Sequence, residues 1–404
     1  MFVEVRADLT AEAASGEDTV VRQTVWAGTG VESSDGTVAY HSDLEPEHLP
    51  GLVAGHPPER GPRRDPQNLS LDPAMAVGAV TGTIVEAQRR YPKAQFNAVW
   101  VESDQSVKVS AMDGVVDDRR IMRRIRLDGV LQRSGRTSRA TSERVVGTDI
   151  PVSELIEETV ERLEARLGAV EPIQGPATVV FAPSIAGILI HELVGHAAEA
   201  DRVERGASWL SPNLDPFPRW LTVIDDPRRA RAAWKFDDEG TPARPVALIL
   251  DGRPKELLHT LGTAAKSGQQ PTGHARRGSF RERLLPRMGC TFVANGHDEP
   301  VEILKKVQQG IYVRRMESAN IDPSTGRASF RITDADAIVN GTIAAALQPH
   351  LLETLAPQAL AAIDGIGNDL AFDRCIGSCH RDGQPLSTSV GAPTICTRLM
   401  TVRF

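Results

Sequence analysis

The sequence predicts an α+β protein: an N-terminal strand-helix-strand domain over residues 1–170, then a C-terminal catalytic domain over 171–404 of mixed and antiparallel sheet with short helices. Three observations predict it. Short runs of alternating apolar and polar residues, broken by glycine-rich turns, open the chain. Two longer segments then carry apolar residues at helical spacing between recognisable caps, and a continuous apolar run, Ala177-Thr178-Val179-Val180-Phe181-Ala182, leads straight into a further helix. Alternation at period two marks half-buried strand, period 3.6 marks amphipathic helix, and a short unbroken apolar run marks a strand buried on both faces.

From Phe2 to about Asp43 the runs Thr19-Val20-Val21 and Val25-Trp26-Ala27 belong to antiparallel strands at the edge of a meander. Pro50 to Pro66 is so rich in Pro, Gly and Arg that it buries little surface and reads as an exposed linker or loop. Asp72-Pro73 supplies an N-cap with proline at the first helical position, so a helix runs to about Arg90, before Pro92. Strands follow at Phe96–Val101, Val107–Met112 and Arg119–Val130, with turns at Ser103-Asp104 and Asp113-Gly114. The last of these strands crowds its arginines between Arg119 and Arg126, which reads as a solvated face or else as a surface for an anionic partner. Pro151 opens a second helix with Leu155, Ile156, Leu163 and Leu167 on one side, and Gly168 closes it.

Composition bounds the function. A chain of 404 residues holds two or three domains, and 41% apolar with 25% charged residues is an ordinary globular balance. The net charge of −7 is spread along the chain, so nucleic acid is not expected as a partner. No apolar stretch approaches the roughly 18 residues a membrane helix needs, and Met1 to Asp8 alternates like a strand rather than a signal peptide. The expected location is the cytoplasm. Cys290, Cys375, Cys379 and Cys396 are too few for a disulfide framework, which makes them candidates for ligation instead. No repeat of 20 to 50 residues is visible.

The chemistry concentrates at His191-Glu192-Leu193-Val194-Gly195-His196. Ser184 is the expected N-cap of a short helix whose buried side, Ile185, Ile188 and Leu189, carries His191 and Glu192 inward. Histidines four apart meet one ion from a regular helix, but five residues at roughly 100° each separate them by about 140°. The backbone must change, either through a π-type bulge or through a helix that ends at Gly195 and swings His196 back. Glu192 occupies the place of the carboxylate that takes a proton from metal-bound water in zinc hydrolases. A bare His-Glu-x-x-x-His is equally compatible with a buried helix whose side chains bond one another.

The neighbouring residues decide between these. The run from His191 to Ala197-Ala198-Glu199-Ala200-Asp201 resembles the signature of the TldD/PmbA metallopeptidase family, in its TldD-like branch. Phe236-Asp237-Asp238-Glu239-Gly240, Pro271-Thr272-Gly273-His274-Ala275-Arg276-Arg277 and Pro286-Arg287-Met288 resemble later family blocks in order. Cys379-His380-Arg381-Asp382-Gly383-Gln384 resembles the block holding a cysteine ligand. The resemblance is specific from about Val179 onward, and Met316 to Asn320 departs from the glycine-rich version expected there.

This resemblance implies a zinc peptidase with one Zn²⁺ per chain held by His191, His196 and Cys379, and with Glu192 as the catalytic carboxylate. Two histidines and a thiolate leave the open position that a catalytic zinc needs. The resemblance also implies unfolded or extended peptide substrates and a dimer, either of like subunits or with a TldE-like subunit lacking the motif. Glu199 and Asp201 are candidate acceptors behind a ligand imidazole, and His274, Arg276 and Arg277 are candidates for binding substrate.

Lesser readings remain beside these. Cys375, Cys379 and His380 have the spacing of a small structural zinc site, and Cys290 and Cys396 read as buried thiols. Asp225-Asp226 and Asp237-Asp238 read as solvated turns or else as a hard-cation site. Two alternatives to a general peptidase stay open: a scaffold subunit that keeps the ligands but presents peptides to another enzyme, and an amide hydrolase for a small or modified peptide in a biosynthetic pathway.

Overall fold

The structure, a computed structural model, describes residues 2–32, 38–42, 71–111, 114–147, 149–211, 214–231, 233–375 and 377–403. The expected linker from Pro50 to Pro66 lies outside the described residues, as do Asp43, Met112 and Asp113.

The first unit is an antiparallel sheet in the order β3-β2-β1-β4-β5-β6. Its strands are β1 (Phe2–Ala14), β2 (Val20–Glu32), β3 (Val38–Ser42), β4 (Ala94–Ala111), β5 (Gly114–Arg133) and β6 (Arg136–Val145). Helices α1 (Pro73–Arg90) and α2 (Val152–Leu167) share one core with it, built from Leu9, Val80, Trp100, Ile125, Leu127, Leu155 and Leu163. The caps form as the sequence requires: the Asp72 carboxylate accepts from the Met75 N–H at 2.9 Å, and Gly168 ends α2.

The expected turn at Ser103-Asp104 is absent, because β4 runs unbroken for 18 residues. It is a central strand, paired with β1 on one side and β5 on the other, so its backbone groups are satisfied only if it stays extended. Its buried acids are neutralised across the sheet, Glu102 by Arg123 and Asp104 by Arg119. The basic stretch of β5 is thus solvated in part, with Arg119 and Arg126 exposed and Arg120 buried. Arg119, Arg120, Arg123, Arg124 and Arg126 all have carboxylate partners, and Arg120 reaches Asp238 of the second unit at 2.8 Å.

Two further sheets make up the second unit. One contains β7 (Gly175–Phe181), β14 (Gln309–Asp322), β15 (Arg327–Val339), β16 (Thr342–Leu347), β17 (His350–Leu355), β18 (Ile363–Ile366) and β22 (Ile395–Arg403). It runs β14-β7-β22-β17-β15-β16, and β14 also pairs with β15, which closes five of the strands on themselves. The other sheet runs β10-β9-β8-β13-β21-β19, with β20 beside β21. Its strands are β8 (Val223–Asp225), β9 (Val246–Leu250), β10 (Arg253–Pro254), β13 (Cys290–Val293), β19 (Ala371–Phe372), β20 (Gly377–Arg381) and β21 (Gln384–Ala392), while β11 (Ala275–Arg276) and β12 (Leu285–Pro286) form a separate pair.

Helix α3 (Ala186–Ile190) packs against both sheets, and the core around it contains Val179, Phe181, Leu189, Leu193, Val194, Val293, Val313 and Ile395. Buried ion pairs link the units as well, since Arg162 and Arg166 of α2 both reach Asp334 of β15. No helix among the described residues is long and apolar enough to cross a membrane.

Candidate metal centre

The five residues after α3, His191–Gly195, wind as a π-helical turn. The backbone N–H of His196 donates to the carbonyl of His191, five residues back, so the second imidazole comes round beside the first. The ring centroids are 5.2 Å apart and the planes cross at 82°. Of the two routes open to the sequence, the chain takes the bulge. Gly195 does not break the helix, because its φ of −55° and the −66° of His196 are ordinary right-handed values. What glycine provides there is space, since a Cβ at Gly195 would sit 3.1 Å from Met288 Cγ. The unusual turn is anchored by Leu193 and Val194, both fully buried, each worth roughly 2 kcal/mol of apolar burial.

Ser184 is not the N-cap. It sits in the left-handed region at φ 70°, and Ile185 opens the helix without a side-chain cap. Ile185 and Ile188 are only partly buried, whereas Ala186, Gly187, Leu189 and Ile190 are buried. Gly187 lies against β21 so closely that a Cβ would meet Gly391 N at 2.7 Å. This contact sets the helix beside the hairpin that carries the cysteine.

Cys379 lies on β20 and faces inward, while the next residue, His380, is exposed on the opposite face. Its Sγ is 3.4 Å from His196 Nε2. The donor atoms of His191, His196 and Cys379 all lie within 4.8 Å of one another, and all three residues are buried. Burial pushes the Cys379 thiol up, but the two imidazoles outweigh it and hold the thiol well below its usual value. Burial pulls both histidines down, and the Cys379 charge outweighs that, so His191 is raised and His196 raised well above the ordinary range. Buried His191 Nε2 has no hydrogen-bond partner. An orphaned imidazole nitrogen aimed into a buried set of two nitrogens and one sulfur suits zinc.

Glu192 stands at the edge of the cluster, its side chain 17% exposed and Oε2 3.8 Å from His196 Nε2. Burial pushes its carboxyl above the usual value. Glu199 accepts from His196 Nδ1 at 3.3 Å and is itself held by Arg202 and Arg381. A carboxylate can only accept, so Nδ1 carries the proton and Nε2 is left for the cluster. Asp201 reaches neither imidazole. It pairs with Arg205 and Arg381, and so acts on the hairpin rather than on a histidine.

Behind His191 the support is indirect. Its Nδ1 faces Thr291 Oγ1 at 3.5 Å, and that hydroxyl donates to Asp225 Oδ2 at 2.6 Å. Asp225 also accepts from Gly289 N at 2.9 Å and faces His274 Nε2 at 3.2 Å. The fully buried His274 thus belongs to this chain of contacts. Arg276 and Arg277 are buried too, and meet Asp238 through the Arg276 side chain and the Arg277 N–H.

Asp225 and Asp226 are therefore not a solvated turn, since Asp226 caps its own short turn and pairs with Arg228. Asp237 and Asp238 are buried and hold backbone N–H groups and arginines. Cys375 bonds to Glu143 O at 3.1 Å and has no part in the cluster, which removes the structural-zinc reading with His380. Cys290 and Cys396 are buried thiols pushed up by burial.

Sequence reasoning missed Thr291 and the supporting roles of Asp225, Arg287 and Arg381. Arg287 donates to the carbonyls of Cys379, at 2.6 Å, and Gln384, so it clamps both strands of the hairpin. The signal available was position: Arg381 follows Cys379 by two residues and shares its strand face.

Residues 174–403 match the model described as the PmbA/TldA metallopeptidase C-terminal domain. A metalloprotease TldD homolog of Buchnera aphidicola is 27% identical over 326 residues, covering 76% of this chain and 68% of that protein. A metalloprotease of Methanothermobacter thermautotrophicus is 30% identical over 250 residues, covering 61% and 54%. A zinc metalloprotease TldD homolog of Saccharolobus solfataricus is 28% identical over 254 residues, covering 62% and 57%. The chain thus aligns with little more than half of the latter two relatives. The fold matches that of TldE from Thermococcus kodakarensis with a TM-score of 0.73 at 14% identity, over 100% of this chain and 96% of that one. With the model match spanning the whole region that builds the His191, His196 and Cys379 cluster, the chain belongs to the PmbA/TldD metallopeptidase family.

Proposed function

We propose that this chain is a zinc-dependent peptidase that hydrolyses amide bonds of unfolded or extended peptides, holding one Zn²⁺ through His191 Nε2, His196 Nε2 and Cys379 Sγ. The observation that carries the reading is the convergence of these three buried donors within 4.8 Å, with His191 Nε2 left unpartnered and Glu192 at the rim. Zinc there supplies Lewis-acid chemistry toward an amide carbonyl and an incoming water. Glu199 and Thr291 orient the two imidazoles, and the core around Leu193 and Val194 keeps bulk water off their inner side. Glu192 takes a proton from the attacking water at its carboxylate and returns it to the leaving amine, a task suited to a carboxyl raised by burial.

The TldE-like fold supports assembly as a dimer, either with a TldE-like partner or of like subunits. Four free cysteines support a reducing, cytoplasmic setting. The separate cores of the two units support a boundary near residue 170.

Metal analysis of the purified full chain beside Cys379→Ala and Glu192→Gln tests the function. The expected result is one zinc per wild-type chain, loss of zinc in Cys379→Ala, and retained zinc with peptide hydrolysis down at least 100-fold in Glu192→Gln. Unchanged zinc in Cys379→Ala would sink the three-ligand site. Undiminished activity of a reconstituted complex containing Glu192→Gln would favour the scaffold role.

A further inference from the structure

The histidine turn is gripped from outside by two neighbouring residues. Trp209 donates its indole N–H to Leu193 O at 2.9 Å, and Ser208 donates its hydroxyl to Ala197 O at 2.6 Å. In a regular α-helix the partner of Leu193 O is the N–H of Ala197, four residues on. A side chain that inserts into this ladder distorts a helix locally, and the last carbonyls of a helix need partners from elsewhere. The distortion lies where the two donors arrive. His191–Gly195 wind as the π turn, His196–Ala198 tighten into a 3₁₀ turn, and Glu199 is extended.

The place of the indole is set outside the motif. Trp209 is 9% exposed, and its backbone N–H donates at 2.7 Å to Pro323 O, in the turn between β14 and β15. Its ring lies against Gly326 of the same turn, where a Cβ would come within 3.2 Å of Trp209 Cδ1 and where φ is 74°. Phe217 meets the indole edge-on, with ring centroids 6.3 Å apart. A buried indole needs an acceptor for its N–H, and with the ring seated this way that acceptor is Leu193 O. We propose that Trp209, helped by Ser208, is a positioning residue for the metal: it holds the turn in its π form and so keeps the His196 imidazole beside His191. Without that bulge the two imidazoles point about 140° apart, out of reach of one ion. The inference rests on the metal-dependent reading of the cluster and deepens it by naming what selects the bulge over the regular helix.

The test uses the full chain with two substitutions: Trp209→Phe keeps a ring and deletes the donor, and Phe217→Leu loosens the packing and keeps the donor. In the first arm, amide hydrogen exchange is followed in the metal-free proteins. Trp209→Phe is expected to speed exchange from Leu193 to Ala198 about 10-fold beyond any change in β7 and β22, whereas Phe217→Leu is expected to affect turn and strands alike. Equal changes in turn and strands in Trp209→Phe overturn the brace. In the second arm, zinc affinity is measured by chelator competition, and the cobalt(II)-loaded proteins are compared by absorption. Trp209→Phe is expected to bind zinc about 10-fold more weakly and to lose intensity in the visible bands that report a four-coordinate ion, with Phe217→Leu matching the wild type in both. Faster exchange with wild-type affinity and spectrum overturns the positioning role, as does the same spectral change in Phe217→Leu. Should Trp209→Phe not fold, Ser208→Ala is read in its place; it is expected to give smaller changes of the same kind, and wild-type behaviour in both arms overturns the proposal. A wild-type chain that binds neither zinc nor cobalt overturns the peptidase reading and the positioning role with it, while the exchange arm still decides whether the brace holds the turn.

Discussion

His191 and His196 sit on one turn and face one cysteine, yet they are braced by different chemistry. His196 is backed directly by the Glu199 carboxylate, which two arginines hold in place, so charge does the orienting. His191 is backed by a neutral hydroxyl, with the charge one bond further away on Asp225. Direct ionic support is strong but costly to break, because its partners are buried. Support through a hydroxyl is weaker and more forgiving. The two histidines should therefore fail differently.

Glu199→Ala gives the largest expected effect. It takes from Arg381, whose side chain is 1% exposed, one of its two carboxylates and leaves it Asp201, so the cost falls at the low end of the about 3–5 kcal/mol for breaking a buried pair. Loss of such a partner lowers metal affinity about 10- to 100-fold, and this variant should lie at the upper end in chelator competition. Thr291→Val comes next, with a fold retained at a cost of about 1–3 kcal/mol for the acceptor left unpaired on Asp225, and about 10-fold weaker zinc binding. Equal losses in the two variants would remove the distinction.

The third prediction concerns acid. Burial pushes Asp225 up, but His274, Thr291 and the Gly289 N–H outweigh it and hold the carboxyl below its ordinary 3.8. A depressed folded value means stability that is present above about pH 4 and lost as pH falls through the folded value. Urea midpoints of the metal-free chain should therefore drop below pH 4, and Asp225→Asn should flatten that limb. An unchanged slope would place the acid sensitivity elsewhere. The smallest effect belongs to Gly195→Ala. Its backbone suits alanine, and the flexible Met288 side chain has only to give way slightly, so stability should stay within about 1 kcal/mol and zinc content should not change. Loss of zinc would show that glycine's freedom shapes the turn after all.

These contrasts separate what was readable in the sequence from what was not. The five-residue spacing of His191 and His196 required a departure from the α-helix, and simple angular arithmetic offered the π turn as one of two outcomes. The helices at Asp72-Pro73 and before Gly168 were readable because caps are local. Cys379 was not readable from spacing, since it lies 183 residues from His196 and reaches it only through sheet pairing. Family resemblance supplied it. The unbroken β4 was hidden because Ser103 and Asp104 look like turn residues, and only the opposing arginines of β5 make them tolerable in a central strand. Asp225 looked like a surface turn for the same reason, its partners being distant in sequence.

The position of β22 has a consequence for how the protein is made. This strand, starting at Ile395, lies between β7 and β17, so the sheet supporting the histidine turn stays open until it arrives. Pairing across so much chain carries a loop-closure cost that must be met before the contacts reward it, and such topologies fold slowly. While the ribosome is still adding the preceding residues, β7 has an uncovered edge and the hairpin of Cys379 has no finished core to lean on. The donor set of His191, His196 and Cys379 therefore has its supporting sheet complete only once synthesis has passed β22.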